Sequence, residues 1–160
     1  MIKQQERLPA GTLTALGELG LQQFNPAEIF GQGTHILFAV PGAFTPTCSE
    51  KHLPGYVEHA SALRDAGVQS IACVSVNDAF VMKAWGKQLN VGDSVMLLAD
   101  GDGEYHKALG LTKNTGSFGG LRAERYAMII HDGVVTELFV EDDGTFGVSG
   151  AEHVLEALKK

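Results

Sequence analysis

A chain of 160 residues with 44% hydrophobic content is long enough for one well-buried domain and short for two, so residues 1–160 are expected to form a single globular unit. A formal charge of −7, a pI near 5.3 and the lack of any dense Lys/Arg cluster exclude nucleic acid as a partner. The longest apolar runs, HILFAV and SIACVSV, fall far short of the roughly 20 residues of a membrane helix, and the start MIKQQER is polar; a soluble cytoplasmic protein is expected.

In chain order, Leu13 to Phe24 suggests a small N-terminal hairpin. His35 to Val40 reads as a buried strand, followed by Leu53, Tyr56, Val57, Ala60 and Leu63 at helical spacing until Gly67 supplies a stop. Ser70 to Val76 is a second strand, rich in β-branched residues. Asn77 or Asp78 can cap the next helix, which is expected to turn Phe80, Val81, Ala84, Trp85 and Leu89 toward a core. Val95 to Ala99 gives a third strand and Glu104 to Leu109 a short helix. RYAMII and VVTELFV flank His131-Asp132-Gly133, where the Asp-Gly pair favours a tight hairpin. Ser149-Gly150-Ala151-Glu152 has the form of a capping box, with Ser149 as the N-cap of a last helix. The βαβαβ…ββα order predicts an α/β chain with a thioredoxin-like fold, a mixed central sheet flanked by helices, plus a small N-terminal extension.

Only two cysteines occur, Cys48 and Cys73, too few for a disulfide framework and without zinc-site spacing. Cys48 follows a strand and opens a helix, at the sheet edge where α/β folds place their chemistry. Unpaired amides and the partial positive charge of a helix start favour thiolate over thiol there. Pro41 and Pro46 restrict the loop ahead of it, and Thr45 places a hydroxyl three residues before the sulfur, suited to polarising a small substrate. Pro54 is expected to kink the helix near its start. On the residues alone, a buried inert cysteine remains an alternative.

The string Pro41-x-x-x-Thr45-x-x-Cys48 resembles the active-site motif of peroxiredoxins. PGAFTPTCSEKHLP, SVNDAFVMKAW and ERYAMIIHDGVV are similar, in order, to three blocks of the type-5 branch, which includes the plant type II enzymes. The resemblance implies a thiol peroxidase without cofactor or metal, acting on hydrogen peroxide and alkyl hydroperoxides through a Cys48 sulfenic acid. It also implies that Pro41, Thr45 and an arginine complete the catalytic set: Arg125 is preferred and Arg122 competes. Phe44, Thr47 and Phe118 resemble residues of the peroxide pocket or subunit contact, and a homodimer through Phe44 and the Phe80–Trp85 region is implied.

Some relatives resolve the sulfenic acid with a cysteine after a late DGT turn, but DDGTFGVSG has Ser149 and no thiol. Cys73 stands in a strand, where a bridge to Cys48 needs Cα atoms within about 7 Å, so an inert core role is preferred over a resolving one. The expected reductant is therefore external: glutathione with glutaredoxin, or thioredoxin. His52, four residues after Cys48, could mark a metal pair or a Cys-His hydrolase dyad, and a helix polar-face or hydrogen-bonded role is preferred to either. Asp100-Gly101-Asp102-Gly103 starts like a calcium loop, but Leu111 occupies the position of the twelfth-position glutamate, so it reads as a turn. A non-catalytic redox sensor or binding module is the alternative from another class.

Overall fold

The computed structural model describes residues 1–142 and 145–159. Strands β1 (Leu13–Gly17) and β2 (Gly20–Phe24) form the N-terminal hairpin, and α1 (Pro26–Ile29) is capped by the Asn25 side chain. Strand β3 (Thr34–Ala39) leads through the proline loop to a π-helical turn, Cys48–His52, that runs into α2 (Leu53–Asp65). Next come β4 (Val68–Ser75), α3 (Ala79–Gln88), β5 (Met96–Ala99), α4 (Glu104–Leu109), β6 (Thr112–Asn114) and β7 (Leu121–Ala123). The series closes with β8 (Tyr126–His131), β9 (Val134–Val140) and α5 (Ala151–Leu158).

The main sheet has the order β2-β1-β5-β4-β3-β8-β9. Strands β3, β4 and β5 are parallel, joined by the crossover helices α2 and α3, while β8 and β9 add an antiparallel edge. This is the mixed sheet expected from the sequence. The hairpin between β8 and β9 turns at Asp132 and Gly133, both at positive φ (50° and 80°), as a tight primed turn requires. Strands β6 and β7 form a separate ribbon that the sequence reading missed, because each has only three residues and shows no periodicity.

Alternation along the strands divides the core in two. Ile36, Phe38, Ile71, Cys73, Ala127 and Ile129 pack under α2, α3 and α5, whereas Leu37, Ala39, Ala72, Val74, Tyr126, Met128 and Ile130 face α4 and the N-terminal segment. That parity puts Arg125, two residues before Ala127, on the α2 side of the sheet.

Three local expectations need correction. Helix α3 turns Ala79, Met82, Trp85 and Gly86 inward and leaves Phe80 and Ala84 exposed. Asp78, accepting from the Val81 N–H, sets this phase, and Gly86 lets the helix lie close to the Leu97 side chain, whose Cδ1 a Cβ there would displace. Ser149 is not a helix cap: Gly150 holds that place, and the Ser149 hydroxyl donates instead to the Glu141 carboxylate at 2.6 Å, a charged and therefore stronger acceptor. Pro54 lies in the first turn of α2, and the irregularity precedes it. The Leu53 N–H reaches back five residues to the Cys48 carbonyl, and Pro54 has no N–H with which to restore the α pattern.

Candidate active site

The loop from Pro41 to Thr47 is braced from both sides. Asn77 accepts from the Ala43 N–H at 3.0 Å and from the Ser75 hydroxyl at 2.5 Å, tying the loop to the end of β4. Phe44 is held at φ 66°, an unfavourable region for a bulky side chain, and the Thr45 hydroxyl donates to the Gly42 carbonyl at 2.7 Å. The Ser49 N–H then donates to the Thr45 carbonyl at 2.9 Å, and the indole of Trp85 donates to the Ser49 hydroxyl at 2.9 Å. Cys48 is thus delivered on a fixed turn, with no solvent exposure of its own.

Arg125 meets it from the sheet. Its Nη2 donates to Cys48 Sγ at 3.1 Å, and its Nη1 lies 2.9 Å from His52 Nδ1. A guanidinium has no acceptor, so His52 Nδ1 must be the bare nitrogen. The proton is on Nε2, which donates to the Ser149 carbonyl at 3.1 Å. Burial, and secondly the positive charge of Arg125, hold the His52 pKa down to about 3, against smaller opposing effects from Ser149 and Glu141. His52 is a neutral, fully buried imidazole wedged against Phe38 and Phe146: of the two roles expected, it is the hydrogen-bonded one and not the polar-face one.

The competing arginine is committed elsewhere: Arg122 donates to the carbonyls of Val76 and Gly119, both at 3.0 Å. A cleft of about 150 Å³ opens at Arg125, lined by Pro41, Thr47, Lys113, Glu124, Arg125, Glu141, Asp142 and Thr145, with the buried Cys48 behind Arg125 and neither Cys48 nor Thr45 among the lining residues. Pro41, Thr47 and Arg125 therefore share one cavity wall. Phe118 does not belong to it: this side chain is 83% exposed, carried outward by the loop between β6 and β7, and Phe44 is half exposed and also off the wall. Asp143 and Gly144, in the late stretch inspected for a resolving thiol, lie outside the described residues.

Cys73 shares a sheet face with the site but not its polarity. It is paired in register with Phe38 and fully buried, and burial, reinforced by the proximity of Cys48, pushes its thiol well above the ordinary range despite Arg125. Both cysteines are free. Among the described residues no group of three or more His, Cys, Asp or Glu could hold a metal ion. The Asp100 turn instead serves the protein itself: the Asp100 carboxylate accepts from the Tyr105 and His106 N–H groups and from His106 Nδ1.

Sequence reasoning missed Glu141, whose buried carboxylate accepts from Gly147, Val148 and Ser149 and organises the loop behind His52. Its signal was weak: Glu141 opens an acidic run, Glu141-Asp142-Asp143, that follows a strand just ahead of a Gly/Ser-rich loop, and nothing local singles it out from its neighbours. Asn77 was considered only as a helix cap.

A thioredoxin-like sheet that presents a cysteine on a helical turn, with a guanidinium on its sulfur, defines the class: a thiol-based oxidoreductase. Residues 3–155 match the Redoxin family, to which the chain belongs, within the type II or type-5 peroxiredoxins, thiol-dependent peroxidases. It is 49% identical to "Peroxiredoxin-2E-2, chloroplastic" of Oryza sativa subsp. japonica over 161 residues, spanning 96% of this chain and 71% of the relative. Identity to "Peroxiredoxin-2B" of Arabidopsis thaliana is 46% over 153 residues, 94% of each chain. The structure of reduced Prx3 from Vibrio vulnificus in complex with hydrogen peroxide superposes with a TM-score of 0.97 at 54% identity, covering 99% of both chains.

Proposed function

We propose that Cys48 is the peroxide-reducing nucleophile, with Arg125, Thr45 and Pro41 as its catalytic setting. The observation that carries this reading is the Arg125 Nη2–Cys48 Sγ contact of 3.1 Å. The thiolate attacks the near oxygen of a hydroperoxide, the S–O bond forms as the O–O bond breaks, and the departing oxygen leaves as water or alcohol after taking a proton. Arg125 stabilises charge first on sulfur and then on the departing oxygen, for which a planar fork of donors is suited. Thr45 acts on the substrate as an acceptor. With its proton directed at Gly42, its lone pairs are free to accept from the peroxide O–H and orient it.

The small cleft, walled by Pro41 and Thr47 and rimmed by charged groups, suits hydrogen peroxide and small alkyl hydroperoxides. Because the Cys73 thiol is held protonated and buried, regeneration is assigned to an external thiol: glutathione with glutaredoxin, or thioredoxin. Such donors place the protein in a reducing compartment such as the cytoplasm. The exposed aromatics Phe44 (50%) and Phe80 (60%) fit a homodimer contact, whereas Trp85 is fully buried and lies in the core. Among the described residues no helix is long and apolar enough to cross a membrane.

Peroxide consumption with each donor in turn, in wild type and Cys48→Ser, tests the reading. Cys48→Ser should fold and lose turnover, because sulfur supplies the nucleophilicity and little of the packing. Turnover near wild type in that variant would sink the assignment; a single stoichiometric oxidation of the wild type with every donor would favour a sensor.

A further inference from the structure

Glu141 follows the last residue of β9 and is joined to the site through its backbone, whose N–H donates to the Arg125 carbonyl at 3.0 Å. Its buried side chain faces the other way, into the loop that precedes α5. Oε2 accepts from the Gly147 N–H at 2.6 Å, the Ser149 N–H at 2.9 Å and the Ser149 hydroxyl at 2.6 Å; Oε1 accepts from the Val148 N–H at 3.3 Å. Successive amides that converge in this way need an anion between them, and without one they turn apart. The carboxylate therefore determines how the Ser149 peptide is oriented.

That orientation has a chemical result. The Ser149 carbonyl points at the π-helical turn, where it accepts from the Tyr56 hydroxyl at 2.7 Å and from His52 Nε2 at 3.1 Å. A carbonyl cannot donate, so it fixes the proton on Nε2 and leaves Nδ1 bare for Arg125 Nη1 at 2.9 Å. An imidazole in the opposite tautomer would present an N–H to a guanidinium N–H, and the fork would turn away from the sulfur. The acceptor is also uncharged. A carboxylate in its place would orient Arg125 while neutralising part of the charge that Cys48 uses.

Resting on the peroxidase reading above, we propose that Glu141 is a positioning residue for peroxide reduction: by fixing the Ser149 carbonyl it holds His52 in the Nε2–H tautomer, which aims the Arg125 fork at Cys48. The chain of contacts runs through four side chains and one peptide, none of which other than Arg125 and Cys48 meets the substrate. The suppressed protonation of His52 fits this role, since an imidazolium could not accept from Arg125 at all.

The first test needs no variant. ¹⁵N NMR of the wild-type protein should show the His52 proton on Nε2 at neutral pH, and a proton on Nδ1 overturns the proposal. Glu141→Gln, which keeps shape but removes the charge, should release the tautomer into a mixture and move the pH midpoint of Cys48 alkylation upward. Its kcat/KM for hydrogen peroxide should fall by roughly 10- to 100-fold, the range typical of disturbed positioning groups. A structural role alone would lower stability without moving the tautomer or the alkylation profile, and that result also overturns the proposal. In a His52→Asn background, where the amide oxygen can replace Nδ1 as the acceptor, Glu141→Gln should cost less than about threefold because the relay is already bypassed; additive losses would show that Glu141 acts by another route. Tautomer and alkylation are read without peroxide, so their outcome is separate from whether Cys48 turns over.

Discussion

Two buried histidines, one on each face of the sheet, are wired to opposite charges. His52 gives its bare nitrogen to Arg125 and its proton to a neutral carbonyl, so it orients the cation toward Cys48 without itself adding a negative charge. His106, on the α4 face, donates Nδ1–H to the Asp100 carboxylate at 2.8 Å and shares a hydrogen bond between Nε2 and the Tyr126 hydroxyl at 2.9 Å. The buried polar side-chain atoms of that second cluster are satisfied within the cluster and its nearest amides. The same side chain therefore steers a guanidinium toward a sulfur in one place and closes a self-contained cluster in the other. What separates the two is whether the partner leaves net charge facing a cavity.

The largest expected effect is on stability in acid. His52 is held at about 3 in the folded protein, whereas an unfolded histidine titrates near 6.5, so between those values the unfolded chain binds a proton that the folded one refuses. Folding stability should fall as pH drops, by about 1.4 kcal/mol per unit below 6.5 and on the order of 5 kcal/mol by pH 3. The carboxylates of Asp100 and Glu141 add to this in a lower window. Burial pushes both upward, but the hydrogen bonds they accept dominate and hold both below the usual carboxylate range, so their contribution is present above that range and is lost as pH falls through their lowered values. Denaturant titrations from pH 7.5 to 4.5 should show the first slope in wild type and a flatter one in His52→Asn. An identical slope in both would move the titrating proton elsewhere and erase the contrast between the two histidines.

A paired substitution sharpens the comparison. Asp100→Asn removes the buried charge that accepts three hydrogen bonds from Tyr105 and His106, and should cost about 3 kcal/mol of stability while leaving kcat/KM for peroxide within a few-fold. Arg125→Lys should do the reverse: kcat/KM should fall roughly 100-fold, about 2.7 kcal/mol in the barrier, with a smaller change in unfolding midpoint. Arg122→Lys, which disturbs only contacts to Val76 and Gly119, should lose less than Arg125→Lys. Unfolding curves and peroxide kinetics on the same preparations decide this. If Asp100→Asn proves as inactive as Arg125→Lys, the α4 face belongs to the catalytic apparatus after all.

Much of this was legible in the sequence because the informative signals are local. β-branched runs, the Asp-Gly turn and the spacing from Pro41 to Cys48 each act within a few residues, and the resemblance of the blocks that contain Arg125 marked the arginine that the fold brings to the sulfur. What escaped depends on contacts between distant segments. Phe80 looked like core because it is apolar, yet the phase of α3 is set by the Asp78 cap and by Gly86 packing on Leu97. Ser149 looked like a cap because its local string fits one, and only the fold reveals the carboxylate of Glu141 competing for its hydroxyl. For His52 the expected alternatives were a polar face or a hydrogen-bonded role, and only the fold decides for the second, because a helix wheel cannot show that Phe38, Phe146 and Arg125 converge there.

The smallest expected effect concerns the second cysteine, and it separates a reactive thiol from one that only shares its face of the sheet. Cys73 is fully buried in β4, opposite Phe38, and burial holds its thiol protonated well beyond neutral pH, so it offers little thiolate to attack a sulfenic acid. Reaching it would also require Cys48 to leave the Arg125 contact and the π-helical turn to unwind. An external thiol brings its own thiolate, and it attacks the sulfenic sulfur to release water and form a mixed disulfide that a second thiol then reduces. Cys73→Ser should accordingly change steady-state turnover with glutathione and glutaredoxin by less than about twofold. Mass spectrometry of the wild type after one equivalent of peroxide without donor should show mainly one added oxygen on Cys48. A dominant loss of two hydrogens with Cys48 linked to Cys73 would mean that the turn opens faster than solvent thiols arrive, and that burial in β4 delays the second cysteine without disabling it.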